Sequence, residues 1–319
     1  MGATSLRLVV TIPAYNEERT LGKVIREIPR KIDQIDDVKV VVVDDGSIDN
    51  TRKVAFEAGA DKVISFKQNR GLAQAFKIGL NVALQMNSDV IVNIDADGQY
   101  DGAEIIKLIT PILNSEADIV LGSRFKGWIE YMPLQKKLGN SLATKVTNLL
   151  SGLKISDSQT GFRAFSKEAA LRINVMSNYT YVQETIMQAV YKRLKIVEVP
   201  VHFRRRKGKS RLIPNIFSYS MRAGLTILKT YRDYKPLRTF LLIGGFIMLI
   251  GLAFGLRVLI HYLNTGMITP YIPSVILTAV LLIVGFQVVI LALIADMIGS
   301  NRKIEEEILY ILKKKDLER

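Results

Sequence analysis

Two carboxylates one residue apart, Asp95 and Asp97, follow a short apolar run from Val90 to Ile94 and are followed at once by Gly98. Such a run reads as a buried strand, and two acids at its end can turn toward one point as the chain leaves the sheet. Their paired charge suits a hard divalent cation, Mg²⁺ or Mn²⁺, which takes oxygen ligands and usually shares them with substrate phosphates. In isolation, Asp-x-Asp-Gly is more often a polar turn. Two further strand ends change that balance. Val38 to Val43 runs into Asp44-Asp45-Gly46-Ser47, and Leu6 to Ile12 runs into Pro13-Ala-Tyr-Asn-Glu17. One acidic loop is ordinary, but three converging strand ends argue for a site.

The elements needed to position these residues alternate between strand and helix. Helical patterns cover Glu18 to Ile28, Asn50 to Ala58, Gly71 to Gln85 and Glu104 to Leu113. Short strands are expected at Val63 to Phe66 and at Ile119 to Leu121, the latter ending in Gly122-Ser-Arg124. This order predicts an α/β fold: a Rossmann-like, mostly parallel sheet with helices on both faces and ligands beyond the carboxyl ends of the strands. Leu138 to Leu150 is amphipathic, with Leu138, Leu142, Val146, Leu149 and Leu150 on one face and Lys137, Ser141 and Lys145 in a separate stripe. Asp157 to Phe165 is a loop entering a strand, Tyr181 to Lys192 a helix, Ile196 to Phe203 a strand, and Arg204 to Arg211 a basic loop.

The charge is uneven. Lys and Arg number 44 against 30 Asp and Glu, a net +14, and His202 to Arg238 alone holds 11 basic residues against the single acid Asp233. That stretch lies immediately before an uncharged run, Thr239 to Leu256, and a second follows from Tyr271 to Ala295. Each is about long enough to cross a bilayer core, which takes roughly 20 apolar residues. A basic run beside a span reads as a segment facing anionic lipid, and its position makes nucleic-acid binding the weaker reading. Lys235, Arg238, Arg302 and Lys303 flank the hairpin on the side of the termini, placing both termini in the cytoplasm of an integral protein of the cell membrane. The expected organisation is a cytoplasmic catalytic domain over 1–212, an amphipathic helix over 213–236, a two-helix transmembrane hairpin over 237–298 and an amphipathic tail over 299–319. Glycines 244, 245, 251 and 255 permit close helix approach, including packing of the hairpin against a second copy as a homo-oligomer. The absence of cysteine excludes disulfides and thiolate chemistry.

Ile12-Pro-Ala-Tyr-Asn-Glu17, Val43-Asp-Asp-Gly-Ser47, Asp95-Ala-Asp-Gly-Gln99, Gly122-Ser-Arg124 and Gln159-Thr-Gly-Phe-Arg163 occur in that order. Together they resemble the signature of the family 2 glycosyltransferases with a GT-A fold, in the polyprenyl-phosphate branch that includes dolichyl-phosphate mannose and glucose synthases. The resemblance implies nucleotide contacts from Pro13, Ala14, Tyr15, Glu17, Asp44, Asp45, Asp95, Ala96 and, in the basic loop with Lys209 and Ser210, Arg211. It implies metal ligation by Asp97, with Asp95 and Gln99, and phosphate binding by Arg124. Lys137 and Ser141 match positions that bind the lipid phosphate in relatives. Asp157 occupies the place of a proposed base, the alternative being that it positions Arg163 or the acceptor.

The implied reaction is inverting transfer of a hexose from a UDP- or GDP-sugar to polyprenyl or dolichyl monophosphate, with Mg²⁺ or Mn²⁺. Relatives associated with mannose transfer often read Asp-Ala-Asp-Leu-Gln-His, so Gly98 and Tyr100 count against GDP-mannose. A processive polysaccharide synthase is disfavoured because the only tryptophan, Trp128, lacks a Gln-x-x-Arg-Trp context. Two alternatives stand beside this reading: a membrane transferase with another lipid or protein acceptor, and a non-enzymatic nucleotide-sugar-binding protein.

Overall fold

The apolar runs form the centre of a seven-stranded sheet in the computed structural model, which describes residues 5–176, 181–206 and 236–317. Strands β1 (Arg7–Ala14), β2 (Asp37–Asp44), β3 (Lys62–Ser65) and β4 (Val90–Asn93) pair in parallel. Strands β5 (Ile119–Ser123) and β7 (Ile196–Pro200) also pair in parallel, whereas β6 (Arg163–Ser166) runs antiparallel to both β4 and β5. The order is β3-β2-β1-β4-β6-β5-β7. The sheet is thus mostly parallel, with one reversed strand that the apolar pattern does not announce, because periodicity reports burial and not direction.

Alternation along the strands builds a core on each face. Leu8, Val10 and Ile12 of β1 pack on one side with α1 (Leu21–Glu27), α2 (Thr51–Glu57) and α4 (Ile105–Leu113). Val9, Val41, Val43 and Ile91 pack on the other with α3 (Leu72–Gln85), α6 (Lys167–Arg172) and α7 (Val182–Tyr191). A fully buried Leu or Ile contributes about 1.5–3 kcal/mol relative to exposure, so both layers hold the strand ends firmly. In register, Ala14 stands opposite Asp44 and Thr11 opposite Asn93. The three acidic loops therefore leave the same edge of the sheet.

Helix α5 (Leu134–Ser151) has the reverse of an ordinary amphipathic arrangement. Its buried residues are Asn140, Thr144, Thr147 and Ser151, while Leu134, Leu138, Leu142 and Leu149 are exposed. Polar contacts hold its inner face: Thr144 Oγ1 accepts from the Ser158 amide at 3.1 Å, and Asn148 Nδ2 donates to the Ile155 carbonyl at 2.8 Å. Gly152, with φ +78, ends the helix in the left-handed conformation that suits glycine.

The chain divides into two units, Met1–Leu228 with Leu309–Arg319, and Lys229–Ile308. The second contains α8 (Pro236–Thr265) and most of α9 (Ile272–Leu317), each carrying a long apolar run. Both are long enough to cross a membrane, and their large side chains, including Leu242, Phe246 and Leu291, are exposed. Such surfaces fit lipid, and the chain associates with membranes. The two helices approach closely, since a Cβ on Gly244 would stand 2.9 Å from the Gly285 carbonyl oxygen. The expected separate tail helix is instead continuous with the second span, as α9 runs unbroken to Leu317. The expected amphipathic helix over 213–236 lies, up to Lys235, outside the described residues.

Candidate active site

The loops after β1 and β2 are stitched together before they meet any ligand. Asn16, at φ +55, donates its amide to Ser47 Oγ at 2.8 Å, and the Glu17 amide donates to Thr51 Oγ1 at 2.8 Å. Asp45 accepts from the Arg70 and Gly71 amides at 2.7 and 2.9 Å, pinning the entry to α3. Burial pushes the Asp45 carboxyl up, partly offset by those amides. Asp44 turns into its own loop, where Oδ1 accepts from the Ser47 amide at 3.0 Å.

A cavity of about 410 Å³ opens at this edge, lined by Pro13, Ala14, Tyr15, Glu17, Asp45, Asp95, Ala96 and Asp97 from the sequence reading. Asn69, Gly71, Leu72, Ala75 and Arg206 complete its wall. Eight of the expected positions therefore come together, and Asp44 is not among the lining residues.

Asp95 sits at the back, held by a chain of contacts from the sheet. Asn93 of β4 donates its side-chain amide to the Gly161 carbonyl and to the Tyr181 hydroxyl, both at 2.9 Å. The Tyr181 ring stacks on Phe76 at 3.8 Å. Gly161 then lies so close to Asp95 that a Cβ there would fall 2.5 Å from the carboxylate. Burial, with the charge of Asp97 added, pushes the Asp95 carboxyl up to about 7. A divalent cation relieves both penalties, and an all-oxygen pair is the donor chemistry that Mg²⁺ and Mn²⁺ prefer. Asp97 and Asp95 therefore fit such an ion. Among the described residues no group of three or more His, Asp or Glu gathers as a metal cage, so ligand oxygens would complete the shell. Gln99 serves as a brace: its amide donates to Asp97 Oδ1 at 3.1 Å and its side chain to the Arg204 carbonyl at 3.2 Å.

Cations gather beside these acids. Arg124 is buried and forms a two-point pair with Asp157, Nε to Oδ2 at 2.6 Å and Nη2 to Oδ1 at 2.8 Å. Burial raises the Asp157 carboxyl, but the charge and hydrogen bonds of Arg124 outweigh it and hold the group below the usual carboxylate range. Both of its oxygens are engaged by the Arg124 side chain. Its partner is Arg124, not Arg163. Arg163 instead ties the Ser158 and Thr160 carbonyls to the Val182 carbonyl, at 3.0, 2.8 and 2.7 Å.

Of the expected lipid-phosphate residues, Lys137 and Ser141 are exposed on the outer side of α5. The lysine that turns inward is Lys136. Its ammonium lies 5.7 Å from the Phe203 ring centre, the same ring that Arg124 covers at 5.1 Å. Burial and then repulsion from Arg124 hold it below the usual lysine range, while Asp97 and Asp95 attract it. One residue along a helix is a turn of about 100°, and the sequence pattern does not say which of two adjacent lysines faces the site. No local pattern marks Glu198, which accepts from the Ser156 and Asp157 amides at 2.8 and 3.0 Å and so holds the Asp157 loop. Arg206, in the cavity wall, was visible only as one of a basic run. Arg211, Lys209 and Ser210 lie outside the described residues.

The profile of the family "Glycosyl transferase family 2" matches residues 9–173. A UDP-N-acetylglucosamine–dolichyl-phosphate N-acetylglucosaminyltransferase of Methanococcus voltae is 37% identical over 218 residues, covering 61% of this chain and 84% of that one. A dolichol-phosphate mannosyltransferase of Pyrococcus furiosus is 33% identical, covering 67% of this chain and 62% of that one. Among solved structures, glucosyl-3-phosphoglycerate synthase of Mycobacterium tuberculosis, in complex with Mn²⁺, UDP-glucose and phosphoglyceric acid, superposes with a TM-score of 0.55 at 22% identity, covering 71% of this chain and 80% of that one. The fold is the GT-A arrangement.

Proposed function

From the premise that this chain belongs to glycosyl transferase family 2, we propose that the glycosyltransferase moves a sugar from a UDP- or GDP-sugar to a polyprenyl monophosphate. The observation that carries this reading is the meeting, in one site, of the Asp95/Asp97 pair with the buried Arg124 and the half-buried Lys136. Acids suit a metal-bound diphosphate, and two adjacent cations suit an acceptor phosphate. The activities of the archaeal dolichyl-phosphate relatives support the same acceptor class.

Pro13, Ala14, Tyr15 and Asp45 hold the nucleoside, and Glu17 reaches the ribose side of the cavity. Asp97 and Asp95 hold Mg²⁺ or Mn²⁺, which when bound neutralises charge on the departing diphosphate. Arg124, kept in place by Asp157, and Lys136 orient the acceptor phosphate. A phosphate monoester has a second pKa of about 6, so it arrives as a nucleophile near pH 7 and needs no strong base. Its oxygen attacks the anomeric carbon opposite the departing diphosphate, which inverts the centre. Orientation of two substrates supplies much of the remaining rate.

The exposed leucines of α5 face the lipid, bringing Lys136 to the headgroup level where the acceptor phosphate lies. The basic residues flanking α8 and α9 support a cytoplasmic position for the catalytic unit and both termini at the cell membrane.

The test uses purified protein in detergent, a short polyprenyl phosphate, Mg²⁺ or Mn²⁺, and labelled UDP-glucose, UDP-N-acetylglucosamine, GDP-mannose and other nucleotide sugars. Metal-dependent transfer of label into the organic phase from one donor names both reaction and sugar. Nucleotide binding without transfer from any donor overturns the acceptor assignment.

A further inference from the structure

The cavity carries a cation of its own. Arg206 spans it, with Nη2 at 2.7 Å from Glu17 Oε1 and Nη1 at 3.3 Å from Asp97 Oδ2. All three side chains are only 17% exposed, so these contacts are screened little by water. Each carboxylate has its other oxygen engaged locally. Asp97 Oδ1 accepts from the Gln99 amide, and Glu17 Oε2 accepts from Thr20 Oγ1 at 2.8 Å. The oxygens that Arg206 takes are thus the ones each acid has left for an incoming group.

The backbone leading to Arg206 is fixed. The Phe203 amide donates to the Trp128 carbonyl at 2.8 Å and the Arg204 amide to the Gln99 carbonyl at 2.8 Å. The Arg205 amide donates to Glu130 Oε2 at 2.8 Å. The Arg204 side chain is itself tied to Glu27 at 2.7 Å and Asp101 at 2.5 Å. Arg206 therefore reaches Asp97 from an anchored base, and the element free to change partner is its side chain.

We propose that Arg206 is the resident counter-cation of the donor site: it occupies Asp97 and Glu17 in the donor-free protein and must yield Asp97 before a divalent cation can be held. A metal ion alone competes with a guanidinium already in place. A metal ion arriving with a nucleoside diphosphate brings anionic oxygens that take over the guanidinium, so the exchange keeps every charge paired. Metal binding is thereby conditional on the nucleotide, and by linkage the nucleotide gains the same factor from the metal. The inference rests on the assignment of Asp97 as a metal ligand.

The test is Mn²⁺ binding to the full-length protein in detergent, followed by loss of the free-ion electron paramagnetic resonance signal, with Mn²⁺ alone and with UDP or GDP. The parent is expected to bind Mn²⁺ weakly alone and more tightly with the nucleotide. Arg206→Gln is expected to bind Mn²⁺ alone about tenfold more tightly than the parent, the factor carried by one charge-assisted hydrogen bond, and to gain less from the nucleotide. Arg206→Lys keeps the charge but cannot bridge two carboxylates, and is expected to fall between them. Nucleotide-free affinity that is unchanged or weaker in either variant overturns the proposal. Asp97→Asn separates the two ideas: if it binds Mn²⁺ as the parent does, the metal assignment itself fails, whatever the Arg206 variants show.

Discussion

Replacing Asp157 by Asn isolates the pair that positions Arg124. Both partners are buried, with side chains 4% and 0% exposed, and the pair closes through two bonds of 2.6 and 2.8 Å. An amide cannot balance the guanidinium charge, and removing one partner of a buried pair costs about 3–5 kcal/mol. For a domain of this size each kcal/mol lowers the melting temperature by about 2–4 °C, so Asp157→Asn is expected to melt about 6–20 °C lower in detergent. The double variant Arg124→Met with Asp157→Leu removes both charges and is expected to recover most of that loss while remaining inactive in transfer. The pH arm follows from the sign of the shift. The folded carboxyl titrates below its unfolded value, so its stabilisation is present above about pH 4 and is lost as pH falls through the folded value. The parent should lose melting temperature in that acid window, and Asp157→Asn should lose less. A single variant that melts within about 1 °C of the parent, or a double variant no more stable than the single, refutes the positioning argument.

Gly161→Ala places a Cβ about 0.9 Å inside the 3.4 Å at which ordinary contact with Asp95 begins. A displacement of that size at a reacting centre costs about 100-fold in transfer, and parental activity in this variant would contradict the close packing. Asp97→Ala is expected to abolish metal-dependent transfer in a protein whose circular dichroism is unchanged; appreciable turnover would remove it as a metal ligand. Lys136→Gln should raise the KM for polyprenyl phosphate by about tenfold, the value of one charged contact, whereas Lys137→Gln should leave it within about twofold. The opposite ranking would return the acceptor site to the outer stripe of α5.

Much of the donor side is legible in the chain itself. Val90 to Ile94 and Val38 to Val43 are continuous apolar runs, their acids follow directly, and the parallel register that brings Ala14 beside Asp44 and Thr11 beside Asn93 is the ordinary outcome of alternating units. Strand identity and the loop that follows it are local properties, so sequence carries them. The acceptor side, and the cation that crosses the donor cavity, depend on contacts between distant residues. Asp157 finds Arg124 33 positions away, and Arg206 finds Glu17 189 positions away, pairings that no local pattern encodes. Helix α5 shows the physical reason most plainly. Its sequence defines an apolar stripe and a polar stripe, and the ordinary rule turns the apolar one inward. Here Asn140 and Thr144 are buried and Leu138 and Leu142 are outside. Which stripe faces the protein depends on what lies against each one, and here the polar loop from Ile155 to Ser158 lies against Thr144 and Asn148, a partner that the helix sequence alone does not specify.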